Sequence, residues 1–138
     1  MKVTSKKPSK QRKALANFKN HQRSKLLNTR LADFLQDVYA VKRLPVNVGD
    51  NVRVVKGDFA DIEGEVLEIK KNLKLIIKEC QLEKADGTSY YVPIHHSKVI
   101  ITKLKKEGKK MDPWRKNIIE RRSGFEFIDE ELKAPVKK

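Results

Sequence analysis

Two hydrophobic periods divide the 138 residues of this chain. Between residues 30 and 41, Leu31, Phe34, Leu35 and Val38 recur at i, i+3, i+4 and i+7, which predicts a helix with one apolar face. Asn28 or Thr29 would cap its start, Asp33 would suit the positive end of its dipole, and Pro45 would stop any continuation. The apolar face is expected to pack on the segment that follows.

From Pro45 to about Ile101 the period shortens. Asn51–Lys56, Gly64–Ile69, Leu73–Lys78, Ser89–Ile94 and Val99–Ile101 are rich in Val, Ile and Tyr and read as five strands. Turn signals separate them: Gly57, Asn72 and the Asp86-Gly87 pair, a strong hairpin marker. Leu73, Leu75 and Ile77 alternate with Lys74, Ile76 and Lys78, so one face is apolar, although Ile76 interrupts the polar one. Five short strands at close spacing suit a small barrel, which closes its own edges. Its expected core is Val52, Val54, Val66, Ile69, Leu75, Ile77, Val92, Val99 and Ile101.

Beyond Ile101 comes a basic stretch, Lys103, Lys105, Lys106, Lys109, Lys110, Arg115 and Lys116, broken by Glu107 and Asp112. Asp112-Pro113 reads as an N-cap followed by proline at the first helical position. Trp114 and Ile118 would share a face of that short helix, Arg121 and Arg122 its last turn, and Gly124 its end. Residues 125–138 are expected to form a frayed or extended tail.

Composition adds the charge. There are 32 Lys plus Arg against 18 Asp plus Glu, a net of +14, and only 38% of residues are hydrophobic. An ordinary globular chain has about 45–50% apolar residues, so the core should be modest. Residues 1–30 hold +10 and no acid, residues 102–116 hold +5, and residues 45–101 hold −1. With few apolar residues (Leu15, Phe18, Leu26, Leu27), residues 1–30 read as a basic arm that orders on its target, or as a solvated tail. The chain thus divides into an arm (1–30), a helix and linker (31–44), a barrel (45–104) and a basic C-terminal extension with a short helix and tail (105–138). Removing residues 1–30 is expected to leave the barrel folded.

Several classes are excluded. No run approaches the ~18 apolar residues of a membrane span, and no apolar signal core is evident near the start. A lone cysteine, Cys80, fits a reducing compartment. The soft ligands Cys80, His21, His95 and His96 match no zinc spacing, so no metal or other cofactor is expected. Ser97 beside His96 offers no positioned base, and Gly57 with Gly64 lacks the helix and lysine of a phosphate-cradling loop. The chain reads as a non-enzyme with a polyanionic partner, without a small-molecule substrate or a membrane.

One stretch is more specific. In Val48-Gly49-Asp50-Asn51-Val52-Arg53-Val54-Val55-Lys56-Gly57, followed by Gly64-Glu65-Val66, each residue has a mechanical reason. Gly49-Asp50 turns into a strand, Val52 and Val54 face one side, Gly57 releases the strand into a loop, and Gly64 lets the chain return at close range. This resembles a KOW motif, the strand–loop–strand unit of SH3-like barrels. Lys84-Ala85-Asp86-Gly87-Thr88, the run Ile94-His95-His96-Ser97-Lys98-Val99-Ile100-Ile101-Thr102-Lys103-Leu104, and the Lys42-Arg43-Leu44-Pro45-Val46 junction extend the likeness. Together with the Ser9-Lys10-Gln11-Arg12-Lys13 arm they resemble the KOW-containing large-subunit ribosomal proteins of universal family twenty-four, in their eukaryotic form. The likeness runs over about residues 3–122, and the arm's part in it argues against a transit peptide.

The resemblance implies an rRNA-binding protein near the peptide tunnel exit, with a part in subunit assembly and ribosomal proteins as neighbours. It implies a cytoplasmic ribosome, with nucleolar passage if the source is eukaryotic. The chief alternative is a KOW-type transcription or RNA-processing factor whose barrel binds protein, which would call for a further domain or long linker. An acidic loop departs from the family pattern: residues 58–68 hold five acids and no base, so direct phosphate contact there is unfavourable.

Candidate RNA contacts are Lys6, Lys7, Lys10, Arg12, Lys13, Lys19, His21, Arg23, Lys25 and Arg30 in the arm. Further on they are His96, Lys98, Lys103, Lys105, Lys106, Lys109, Lys110, Arg115, Lys116, Arg121 and Arg122. Eight engaged phosphates would give a log–log salt slope of roughly −6 to −7. Arg12, Arg23 and Arg30 suit specific contacts, because a guanidinium binds phosphate bidentately or stacks on a base. Phe18 and Trp114 have two readings each, RNA or partner contact and packing on the protein. His95 is expected in a structural role and His96 in an exposed, RNA-facing one.

Overall fold

The computed structural model describes residues 5–105 and 111–124. Two short helices, α1 (Pro8–Ala16) and α2 (Asn20–Leu26), precede strand β1 (Asn28–Leu31), helix α3 (Asp33–Tyr39) and strand β2 (Arg43–Pro45). Strands β3 (Asn51–Val54), β4 (Glu63–Ile69), β5 (Lys74–Ile77), β6 (Gln81–Glu83), β7 (Ser89–Tyr91) and β8 (Ile94–His95) follow. A 3-10 turn (His96–Lys98) leads into β9 (Val99–Lys103), and helix α4 (Pro113–Ser123) is the last described element.

Seven strands form one sheet in the order β2-β1-β9-β3-β4-β5-β8, and β6 with β7 forms a separate hairpin. The connection from β8 to β9 dictates the sheet's shape. Strands spaced about 4.8 Å apart would put these two roughly 19 Å from each other if the sheet were flat. Yet only the 3-10 turn joins them, and three residues at about 2 Å rise reach roughly 6 Å. The five strands β9-β3-β4-β5-β8 must therefore curl round, as in a small SH3-like barrel. Among the described residues β8 and β9 are not neighbours in the pairing order, so the curl stops short of full closure.

The motif glycines act as their positions require. Gly57 has φ of 112°, which a side chain would strain. At Gly64 a Cβ would lie 2.7 Å from Ile77 Cγ2, because β4 runs tightly against β5 there. Val52, Val54, Val66, Leu75, Ile77, Val99 and Ile101 are buried as expected, whereas Ile69 and Val92 are only half-buried. The core also takes in Leu27, Leu31, Val41, Leu44, Val46 and Ile119, which lie outside the expected set.

The largest correction concerns residues 28–41. Leu31 belongs to a strand: Thr29 and Leu31 point inward, Arg30 outward, and β1 pairs with β2 antiparallel and with β9 parallel. The helix begins only at Asp33, after an extended Ala32 that gives no side-chain cap, and ends where Ala40 turns left-handed at φ 51°. Phe34 and Val38 face solvent, 57% and 70% exposed, while Tyr39 is buried. The apolar spacing is real, but the burial of Leu31 is satisfied by the sheet instead of a helix face. Since residues 28–31 form a strand within the sheet, removal of residues 1–30 would cut into the fold. The remaining differences are smaller. Nine strands among the described residues replace five, Ser89–Ile94 splits into β7 and the start of β8, and α1 and α2 occupy what reads as an arm without elements. Residues 125–138, expected as a tail, fall outside the described residues.

Candidate nucleic-acid interface

The basic arm is helical but unsupported by a core of its own. Helix α1 buries no residue, lacks a side-chain cap, and carries Lys10, Arg12 and Lys13 with no acid in its first turn. Helices shorter than ~12–15 residues are marginal in water, and like charges spaced along them repel. A polyanion relieves that repulsion. Lys6, Lys7, Lys19, His21 and Lys25 are exposed, Phe18 is half-buried, and Arg23 is half-buried with Nη2 donating to the Ala16 carbonyl at 3.4 Å.

The arm continues into a groove built by several elements. Between α2 and α4 lies a hollow of about 510 Å³ lined by Ser24, Lys25, Asn28, Pro45, Ile118, Arg121 and Arg122. Beyond Asn28 a second hollow, of about 300 Å³, is lined by Arg30, Arg43, Lys56 and His96 together with neutral residues. Neither hollow has an acidic lining residue. Register explains part of the convergence: Arg30 lies directly opposite Arg43 on β1 and β2. Like charges in that position destabilise a sheet, and Asp33 offsets Arg30 at 2.8 Å. Hydrogen bonds from α4 brace the groove. Arg122 donates to the Arg43 carbonyl and, at 3.4 and 3.5 Å, to Asn28 Oδ1.

Arg43 and Lys56 are groove residues that sequence reasoning missed. The Arg43-Leu44 alternation of out and in was available as a strand signal, but only the β1–β2 register places Arg43 beside Arg30.

Arg115 is the clearest correction among the expected RNA contacts. It is 3% exposed and gives two hydrogen bonds of 2.6 Å to the fully buried carboxylate of Asp50. Its Nη2 also donates to the Pro45 carbonyl at 3.0 Å. Asp50 accepts further bonds from the backbone N–H groups of Asn47 and Lys105, each at 2.8 Å. A guanidinium enclosed in this way holds α4 on the barrel and has no face left for RNA. Arg115 and Ile119 thus form the buried side of α4, whereas Trp114 is 78% exposed. The helix ends read as expected: Asp112 Oδ1 accepts from the Trp114 N–H at 3.1 Å, Pro113 opens the helix, and Gly124 closes it at φ 73°.

His95 takes the structural role expected of it, and His96 departs from the exposure expected of it. His95 is exposed and its Nδ1 caps the 3-10 turn at Ser97, while His96 is half-buried beside β1. Burial, with help from His95, pushes the His96 pKa below its ordinary value, and a backbone hydrogen bond at Asn28 opposes this. Lys98, Lys103, Lys105, Arg121 and Arg122 are exposed, Lys116 is half-buried, and Lys106, Lys109 and Lys110 lie outside the described residues. The acidic loop is exposed at Asp58, Asp61 and Glu63, and Asp61 adopts the left-handed φ of 64° that glycine favours. Among the described residues no three His, Cys, Asp or Glu converge as metal ligands, and no helix is long and apolar enough to cross a membrane.

The family model for ribosomal proteins called L26 in eukaryotes and L24 in archaea matches residues 5–122. The chain belongs to this family. As a ribosomal protein it is a structural component and not an enzyme. It is similar to the "Large ribosomal subunit protein uL24" of Korarchaeum cryptofilum, 42% identical over 123 residues, covering 88% of this chain and 91% of that one. The protein of the same name from Sulfurisphaera tokodaii is 46% identical over 123 residues, 87% of each chain. That from Saccharolobus solfataricus is 47% identical over 103 residues, 74% of this chain and 87% of the relative. These relatives are archaeal, while the family takes in both archaeal and eukaryotic members.

Proposed function

We propose that this ribosomal protein is a constituent of the large subunit that binds rRNA through its basic extensions and groove, near the peptide tunnel exit, and supports subunit assembly. The acid-free groove is the observation that carries the reading. Lys25, Arg30, Arg43, Lys56, Arg121 and Arg122 come from separate parts of the chain to one surface, although the barrel segment is nearly neutral. Cations gathered on one surface suit a phosphate backbone, whose condensed counterions they release on binding. Neighbouring ribosomal proteins meet the acidic loop, which repels phosphate. In a eukaryotic host the chain would pass through the nucleolus on its way to the cytoplasmic ribosome.

Sucrose-gradient fractionation of the tagged protein with RNA crosslinking tests this. The expected result is co-sedimentation with large subunits and rRNA adducts at groove peptides, both weakened by Arg43→Gln with Lys56→Gln. Recovery only in light fractions without rRNA adducts would sink the proposal, and favour a barrel that binds proteins instead.

A further inference from the structure

The hollow between α2 and α4 is built for more than phosphate. Lys25, Arg121 and Arg122 stand around it, yet Pro45 and Ile118 contribute an apolar surface. Ile118 is itself packed against the core, so this surface is fixed. We propose that the hollow takes one unpaired RNA base, turned out of its strand, while the surrounding cations hold the flanking phosphates. This rests on the rRNA-binding reading above and adds the class of nucleotide recognised.

Three features support it. At about 510 Å³ the hollow falls in the range of small-molecule sites, roughly 300–1,000 Å³. A paired base offers only its edges, because its faces are covered by neighbours, whereas an unpaired base brings a free flat face to an apolar wall. The guanidinium planes are also set in advance. Arg121 Nε donates to the Asn117 carbonyl at 3.2 Å, and Arg122 is tied to Asn28 and Arg43. A plane already held stacks on a base with less ordering cost. Finally, Asn28 is shared with the second acid-free hollow, so the strand carrying the base has a cationic path onward past Arg43 and Lys56. An acidic peptide would satisfy the cations, its carboxylates meeting the guanidinium edges, but would leave the Pro45 and Ile118 wall without an apolar face against it.

The test uses the full chain and two RNA hairpins at one salt concentration, identical except that one carries a single bulged 2-aminopurine in its stem. The bulged hairpin should bind at least tenfold tighter, and the bound 2-aminopurine should be protected from acrylamide quenching. Arg121→Lys keeps the charge and removes the plane, so it should abolish most of the preference while the salt slope stays constant. Ser24→Trp, from the exposed wall, should fill the hollow and do the same, with circular dichroism reporting the fold of each variant. Equal affinity of the wild type for both hairpins would overturn the base pocket and leave the groove standing. No binding to either would overturn both readings. A preference that survives Arg121→Lys and Ser24→Trp in folded protein would also overturn the pocket.

Discussion

Replacing Arg115 with Met isolates the buried ion pair from every other property of the basic extension. Methionine keeps an unbranched chain of similar reach in a 3% exposed position but leaves the Asp50 carboxylate without its two 2.6 Å donors. Among the described residues the Asn47 and Lys105 N–H groups still donate to Asp50, but a carboxylate with no solvent exposure loses the guanidinium that faces it and both of its bonds. Removing one member of a buried pair costs about 3–5 kcal/mol. The two remaining donors place the expected loss near the lower end, about 3 kcal/mol. Against a total stability of about 5–15 kcal/mol this is a large fraction. In urea, with a slope of about 1–3 kcal/mol per molar, the midpoint should fall by roughly 1–3 M. Asp50→Asn should act in the same direction, and the double variant should lose less than the sum of the two, since the partners share one interaction. The alternative makes Arg115 an rRNA contact. An Arg115→Met protein of unchanged urea midpoint and sharply reduced RNA affinity would refute the structural role of the pair.

Gly64→Ala should destabilise the fold by about 1–3 kcal/mol through overpacking alone, because the added methyl meets Ile77 Cγ2 at 2.7 Å; urea titration with an unshifted midpoint would contradict this. Truncation should separate arm from fold. Loss of residues 1–18 removes Lys2, Lys6, Lys7, Lys10, Arg12 and Lys13 and should leave cooperative unfolding intact, while the salt slope of RNA binding flattens by up to about four. Loss of residues 1–30 removes most of β1 and should abolish that cooperative transition. The fourth expectation concerns pH. With its pKa depressed by burial, His96 takes up its proton more readily in the unfolded chain, so stability falls as pH drops from the ordinary histidine range toward the folded pKa, and levels off below it. Urea midpoints at pH 7.5 and 5.5 should differ in that direction, and His96→Gln should reduce the difference; an unaltered pH dependence would disprove it.

Legibility in the sequence follows how locally each feature is determined. The KOW stretch is legible because its turn glycines and its alternating Val52 and Val54 act on their own neighbours. The ends of α4 are legible for the same reason, since Asp112, Pro113 and Gly124 work within one turn of helix. Leu31 escapes such a reading because its neighbours in the sheet, on β2 and β9, are remote in sequence. A helical spacing and a short inward–outward alternation coincide over four residues, and only those distant strands choose between them. Arg115 misleads by its charge. Its type suits RNA, and its burial depends on Asp50, 65 residues away. The groove falls between these cases: Lys25, Arg30, Arg121 and Arg122 stand out one by one, but their meeting at Asn28 is a property of the sheet order.

The parallel pairing of β1 with β9 also sets the order of events during synthesis. Arg30 and Ile100 are register partners, and the bonds from Arg122 to Asn28 close a separation of 94 residues. Contacts so remote form slowly and only after the loop between them has been closed. A growing chain therefore exposes its basic arm long before it owns a groove, and any fragment that stops short of Pro113 has the charge without the shape. On the proposed function, discrimination among RNA partners is in this way deferred to the finished protein, and a truncated product would attract RNA without positioning it.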